Sequence, residues 1–132
     1  MKQSTKLIKV IGSVALLGLG SLSHAWAAGD ATKGVDVFAE ECGDCHSVKE
    51  GKNKKGPSLM NIVGRKAGSI EGYKYSDGMK KVDFVWSAEQ ISAYITHPRK
   101  IVPGGKMKYD GLDDEQGRAD IVAYLATLVS TH

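Results

Sequence analysis

Both cysteines of this 132-residue chain stand in one pentapeptide, Cys42-Gly43-Asp44-Cys45-His46, and that concentration restricts the fold more than any other feature. Two thiols at i and i+3 lie on one face of a helical turn, and a histidine at i+4 projects beside them. Their sulfurs therefore reach two neighbouring points on one flat object while the imidazole addresses its middle.

Haem fits this arrangement, with two thioether bonds holding the ring edge and the His46 imidazole ligating iron from one face. Three other readings compete. A dithiol redox site has the same C-x-x-C spacing, but the chain shows no βαβ pattern to host it. Structural zinc wants four ligands, and beyond Cys42, Cys45 and His46 only His97 or His132 would supply the fourth. A disulfide between residues this close would close too small a loop to stabilise much.

The first residues bear on where the chain acts. Lys2, Lys6 and Lys9 form a basic start, Val10 to Leu22 is an apolar run, and Ala25 and Ala27 precede a cut expected ahead of Ala28. This is the three-part pattern of a secretory signal, and its apolar run is shorter than the ~20 residues a bilayer span needs. Residues 1–27 are thus expected to be a cleaved signal and 28–132 the domain, placed in the periplasm. The signal holds three lysines and no acid, so cleavage lowers the formal charge from +3 to zero. The remaining ~105 residues are few for a single core, a size at which a covalent staple is welcome.

The spacing of apolar residues predicts a mainly α fold with three main helices, short helices and long loops. Asp30 caps a first helix running to about Cys42, with Val35, Phe38 and Glu41/Cys42 on one side and Gly34 allowing close approach of another element. Ser87 and Gln90 form a capping box before Ile91, Tyr94 and Ile95, and His97-Pro98 closes that helix. Asp113 and Gln116 make a second box before the stripe Ile121, Tyr124, Leu125 and Leu128. The segments 47–85 and 99–112 are glycine- and lysine-rich and contain no convincing strand. Loops this long in so small a domain ask for something to wrap.

A sixth iron ligand has five candidates: Met60, Met79, Met107, His97 and His132. A methionine is more often packing than ligand. Met107 stands out because it lies in "VPGGKMKYDG", a Pro/Gly loop between two helices that can bend over a ring.

From Gly29 to Leu128 the sequence resembles the class I c-type cytochromes of the short-chain mitochondrial and bacterial kind. "GDATKGVDVFAEECGDCHSV", "GPSLMNIVGRKAG", "GYKYSDGMK", Trp86, "ISAYITHPRKIVPGGKM" and "RADIVAYL" match that family's blocks in order. The resemblance implies one haem c bound through Cys42 and Cys45, with His46 and Met107 as axial ligands. It further implies that Gly34 and Phe38 meet Ile121 and Tyr124 where the first and last helices cross. Pro57 would orient His46 through its carbonyl, Arg65, Tyr75 and Trp86 would surround a buried propionate, and Tyr94 would approach the Met107 sulfur. Two positions depart from the family pattern: Gly105 replaces a customary threonine and Met79 a customary asparagine, both beside the methionine ligand. Tyr109, where phenylalanine is frequent, is expected to pack at the distal edge.

Lys52, Lys54, Lys55, Lys74, Lys80, Lys81, Arg99, Lys100, Lys106 and Lys108 cluster in the loops expected to frame the haem edge. Such a ring would steer acidic membrane or periplasmic redox proteins onto it. The expected role is that of a soluble, monomeric single-electron carrier with no enzymatic chemistry. A haem enzyme or sensor with an open or labile sixth position is the alternative. Nucleic acid is not an expected partner, since the lysines lack interleaved stacking aromatics.

Overall fold

The computed structural model describes residues 28–130. The expected signal, residues 1–27, and His132 lie outside the described residues.

The chain starts on α1, Ala31–Glu41, because the Asp30 carboxylate accepts the Thr32 and Lys33 N–H groups that a helix start leaves unpaired. Phe38 faces the core, whereas Val35, expected on the same side, is 45 % exposed. The reason is angular: Gly34 and Phe38 set the contact face one turn apart, and Val35, next to Gly34 in sequence, is rotated ~100° away from it. Where α1 meets α5, Glu115–Thr127, the backbones touch. A methyl group at Gly34 would stand 2.1 Å from the Asp120 carbonyl oxygen and 2.7 Å from the Tyr124 Cβ. Phe38 and Tyr124 then meet edge to face, with ring centroids 5.6 Å apart. Ile121 and Leu125 of α5 are buried in the same core as Phe38. The expected crossing of first and last helices is therefore present.

Helix α5 is capped by Asp114, whose carboxylate accepts the Gln116 N–H, in place of the expected Asp113. The capping pattern tolerated either aspartate, and the chain path into the helix selects the second. Ser87 caps α3, Ala88–Thr96, by accepting the Gln90 N–H at 3.1 Å, as expected. His97 does end α3, yet Pro98 at once begins a further helical turn, α4, Pro98–Ile101. Proline suits that first position because its missing N–H would be unpaired anyway. The loops contain one more short helix, α2, Asp77–Lys81, capped by Ser76. Among the described residues the only β pairing is one antiparallel bridge, Lys66 with Val85. The molecule is thus mainly helical, and α1, α3 and α5 enclose a small core that the long segments between α1 and α3 cover.

Candidate haem site

The pentapeptide continues α1 as a turn. Cys42 and Gly43 N–H groups both donate to the Phe38 carbonyl at 2.8 Å, and His46 N–H donates back to the Cys42 carbonyl at 2.9 Å. The end of the helix thus carries Cys42, Cys45 and His46 on one backbone turn. The thiols are free, not disulfide-linked. Burial, helped by Glu41 and Cys45, pushes the Cys42 thiol up to about 12. That is the direction opposite to the activated thiolate of a redox dithiol. Among the described residues no group of three or more His, Cys, Asp or Glu side chains is arranged to hold a metal ion.

His46 is seated by two residues of the next loop. Its Nδ1 lies 2.8 Å from the Pro57 carbonyl oxygen. A carbonyl only accepts, so Nδ1 carries the proton and Nε2 presents a lone pair. Burial lowers the imidazole pKa by more than this hydrogen bond raises it, and the ring is neutral at pH 7. Gly56 lies flat against the same ring, since a Cβ there would fall 2.3 Å from His46 Cε1. The Gly56 N–H, at 2.8 Å, donates to the Cys45 carbonyl, and Lys54 Nζ donates to the Gly43 carbonyl at 2.6 Å. Loop and turn are laced together round the imidazole. Sequence reasoning had singled out Pro57 and missed Gly56, although the Gly-Pro pair was its available signal.

The donor set fits haem c. Two free thiols a turn apart suit the vinyl carbons, and a neutral imidazole of fixed tautomer suits iron.

Arg65, Tyr75, Trp86 and Tyr94 come together on another side of the core. Arg65 is half-buried and forks onto two carbonyls, Nη1 to Met60 at 3.0 Å and Nη2 to Ser58 at 2.9 Å. Burial lowers its pKa, and the neighbouring Tyr75 opposes that. The Tyr75 hydroxyl oxygen accepts the Ile70 N–H at 3.2 Å, which leaves its proton to donate. Trp86 N–H donates to the Arg65 carbonyl at 2.9 Å. The buried Trp86 ring meets Phe84 and Tyr94 edge-on, at 4.8 and 5.1 Å between centroids. Tyr94 is itself buried, which raises its phenol pKa and keeps it a hydrogen-bond donor.

Met107 packs half-buried against the core that Cys42 also touches. Both flanks of its loop are tied down. Lys106 Nζ donates to the Lys74 carbonyl and lies 4.4 Å over the Tyr73 ring, while the Tyr109 hydroxyl donates to Glu41 Oε2 at 2.6 Å. Burial first, and then the Glu41 carboxylate, raise the Tyr109 phenol pKa well above its ordinary value. Farther up the loop, Pro103 and Gly104 lie against Gly78 of α2, where a side chain would collide with the Pro103 carbonyl. None of these ties was legible beforehand, because each joins residues distant in the chain.

Comparison with known proteins agrees with this geometry. The family model described as Cytochrome c matches residues 31–129. A cytochrome c2 of Rhodopila globiformis is 49 % identical over 100 residues, covering 76 % of this chain and 94 % of the relative. A cytochrome c2 of Rhodomicrobium vannielii is 44 % identical over 106 residues, covering 80 % and 84 % respectively. The cytochrome c of the fungus Gibberella zeae is 43 % identical over 100 residues, covering 75 % and 94 %. With its thiols and imidazole on one turn and its matched segment running through α1 to α5, the chain belongs to the cytochrome c family, as a class I c-type cytochrome carrying one haem c through Cys42 and Cys45.

Proposed function

We propose that this protein is a periplasmic single-electron carrier whose iron is held by His46 and Met107, with no open coordination site. Bound haem c supplies a one-electron ferric/ferrous couple. The observation that carries the reading is the Met107 loop, anchored on both flanks and packed against the core. A thioether held that way would supply the sixth ligand to a bound haem iron. It is soft and neutral, so it favours the ferrous state over what a second imidazole would give.

Each remaining residue has a task that follows from its surroundings. Pro57 and Gly56 fix the His46 ring and its tautomer, so that Nε2 would be the atom offered to a bound iron. Arg65 keeps N–H donors beyond the two that its carbonyl partners use, and with Tyr75 and Trp86 it would solvate a buried propionate, which has to be paired to be tolerated. Tyr94 would donate its hydroxyl to the Met107 sulfur. The packed wall of Phe84, Trp86 and Tyr94 would keep water from a bound haem and so lower the reorganisation that each electron transfer costs.

Among the lysines expected to frame the haem edge, Lys52, Lys55, Lys74, Lys81, Lys100 and Lys108 are exposed. Lys80 and Arg99 sit in exposed ion pairs with Asp77 and Asp110, at 3.4 and 3.5 Å, which are weak and free to rearrange. This surface supports docking of an acidic redox partner, with salt-sensitive association and quick release. No helix of the described residues is long and apolar enough to cross a membrane. The relatives named cytochrome c2 come from bacteria, and the basic-apolar start of the chain supports export.

The test is the visible spectrum of the protein matured with haem, taken oxidised, reduced, and reduced under carbon monoxide. Low-spin ferrous bands unmoved by the gas, with a weak ferric sulfur-to-iron band in the far red, are expected. Met107→Ala should lose that band and bind carbon monoxide. A wild-type spectrum that shifts at once with the gas would replace the carrier with a ligand-binding haem protein.

A further inference from the structure

We propose that the Tyr109 to Glu41 hydrogen bond is a latch that clamps the Met107 loop onto the turn bearing Cys42, making both residues positioning residues for the sixth iron ligand. The inference rests on Met107 being that ligand and adds what holds it in place.

Glu41 is the last residue of α1, where the helix presents its negative end, and no basic residue occupies that last turn. A carboxylate there is misplaced with respect to the helix dipole. The partner it takes is the Tyr109 phenol, 68 positions along the chain, at 2.6 Å. That length belongs to a charge-assisted O–H to carboxylate bond, roughly twice as strong as a neutral one. Its two ends matter more than its strength. Glu41 immediately precedes Cys42, and Tyr109 is two residues beyond Met107, so the bond joins the covalent attachment of the ring directly to the ligand on its other face.

The next ties on that flank lie beyond Tyr109, where the Leu112 N–H donates to the Ile95 carbonyl at 2.9 Å and Arg118 Nη1 donates to the Leu112 carbonyl at 2.6 Å. Tyr109 also borders an open cavity of about 310 Å³ lined by His97, Pro98, Arg99, Lys100 and Asp110, so packing on that side does not fix the ring. The adjacent Arg99 to Asp110 pair is 3.5 Å long, with side chains 73 % and 95 % exposed, and is too well solvated to hold a loop. Lys106 anchors the opposite flank, through the Lys74 carbonyl and the Tyr73 ring. Between the two anchors stand only Met107 and the exposed Lys108. Release of the latch would let the loop hinge on Lys106 and carry Met107 off iron.

Imidazole binding to the ferric, haem-loaded protein measures that release, because imidazole takes the iron position only when Met107 leaves it. Tyr109→Phe and Glu41→Ala should each raise the apparent imidazole affinity about fivefold, the equilibrium equivalent of one net hydrogen bond. Glu41→Gln keeps an acceptor and should restore most of the wild-type affinity. The double variant Tyr109→Phe with Glu41→Ala should bind no more tightly than either single variant, since both remove the same bond. Urea midpoints read by far-UV circular dichroism should stay close to wild type, separating the latch from general destabilisation. Either single variant at wild-type affinity, or additive effects in the double variant, would overturn the latch. If the wild type shows its far-red sulfur-to-iron band while the variants bind imidazole unchanged, the latch alone fails. If the wild type lacks that band, the Met107 reading fails and the latch with it.

Discussion

His46 owes its orientation to two residues that carry no charge. The Pro57 carbonyl selects the tautomer, and Gly56 provides the flat wall on which the ring lies. A side chain at position 56 cannot be accommodated without moving the imidazole or the loop, because the clash is with a ring whose Nδ1 is tied to the Pro57 carbonyl. Gly56→Ala should therefore destabilise the folded protein by about 1–3 kcal/mol, the usual cost of overpacking. Denaturant unfolding of the haem-loaded variant checks this, and a wild-type midpoint would show that the ring is free to shift. Arg65 makes the complementary point. The family resemblance points to it as a donor, while its carbonyl partners, Met60 and Ser58, follow from how the loop folds back.

At the scale of elements, the junction between the start of α1 and the face of α5 is stapled by polar groups as well as by Gly34. Asp120 is only 4 % exposed and accepts the Asp30 N–H at 2.7 Å and the Gln116 side-chain N–H at 2.8 Å. These two hydrogen bonds hold its carboxyl pKa below the ordinary 3.8, outweighing the desolvation that would raise it. A depressed folded-state pKa means that the charged form stabilises the fold. That contribution is complete above the ordinary value and is lost as pH falls below 3.8 toward the folded value. Asp120→Asn should thus be less stable than wild type at neutral pH, and the gap should narrow only below about pH 4. Urea midpoints of the pair from pH 7 down to pH 2 decide it; a gap independent of pH would assign the effect to packing. The spacing of Ile121, Tyr124 and Leu125 made the helix itself legible, but the carboxylate facing Asp30 carries no periodic signature.

For the whole molecule the decisive quantity is how little core it has. The buried apolar cluster of the described residues comprises ten side chains, too few to order the long segments between α1 and α3 without a ligand. Replacing both Cys42 and Cys45 by alanine, so that haem is not retained, should leave a chain with a far-UV helical signal well below that of the haem-bound protein. Equal signals would mean that the helices fold on their own packing, and that haem only decorates the fold.

Local chemistry written in consecutive residues determined much by itself. Cys42, Cys45 and His46 declare the cofactor because a helical turn alone brings them together, and Asp30 and Ser87 mark helix starts because a cap acts within one turn. Family blocks extended that reading to Met107. Tertiary structure decided what depends on two distant segments meeting: which side of α1 is buried, so that Val35 is exposed, which aspartate caps α5, and how Gly56, Asp120, Lys106 and the Tyr109 to Glu41 pair are used. Hydrogen bonds and steric contacts act over a few ångströms in space, and one sequence records such neighbours only when they are also neighbours along the chain.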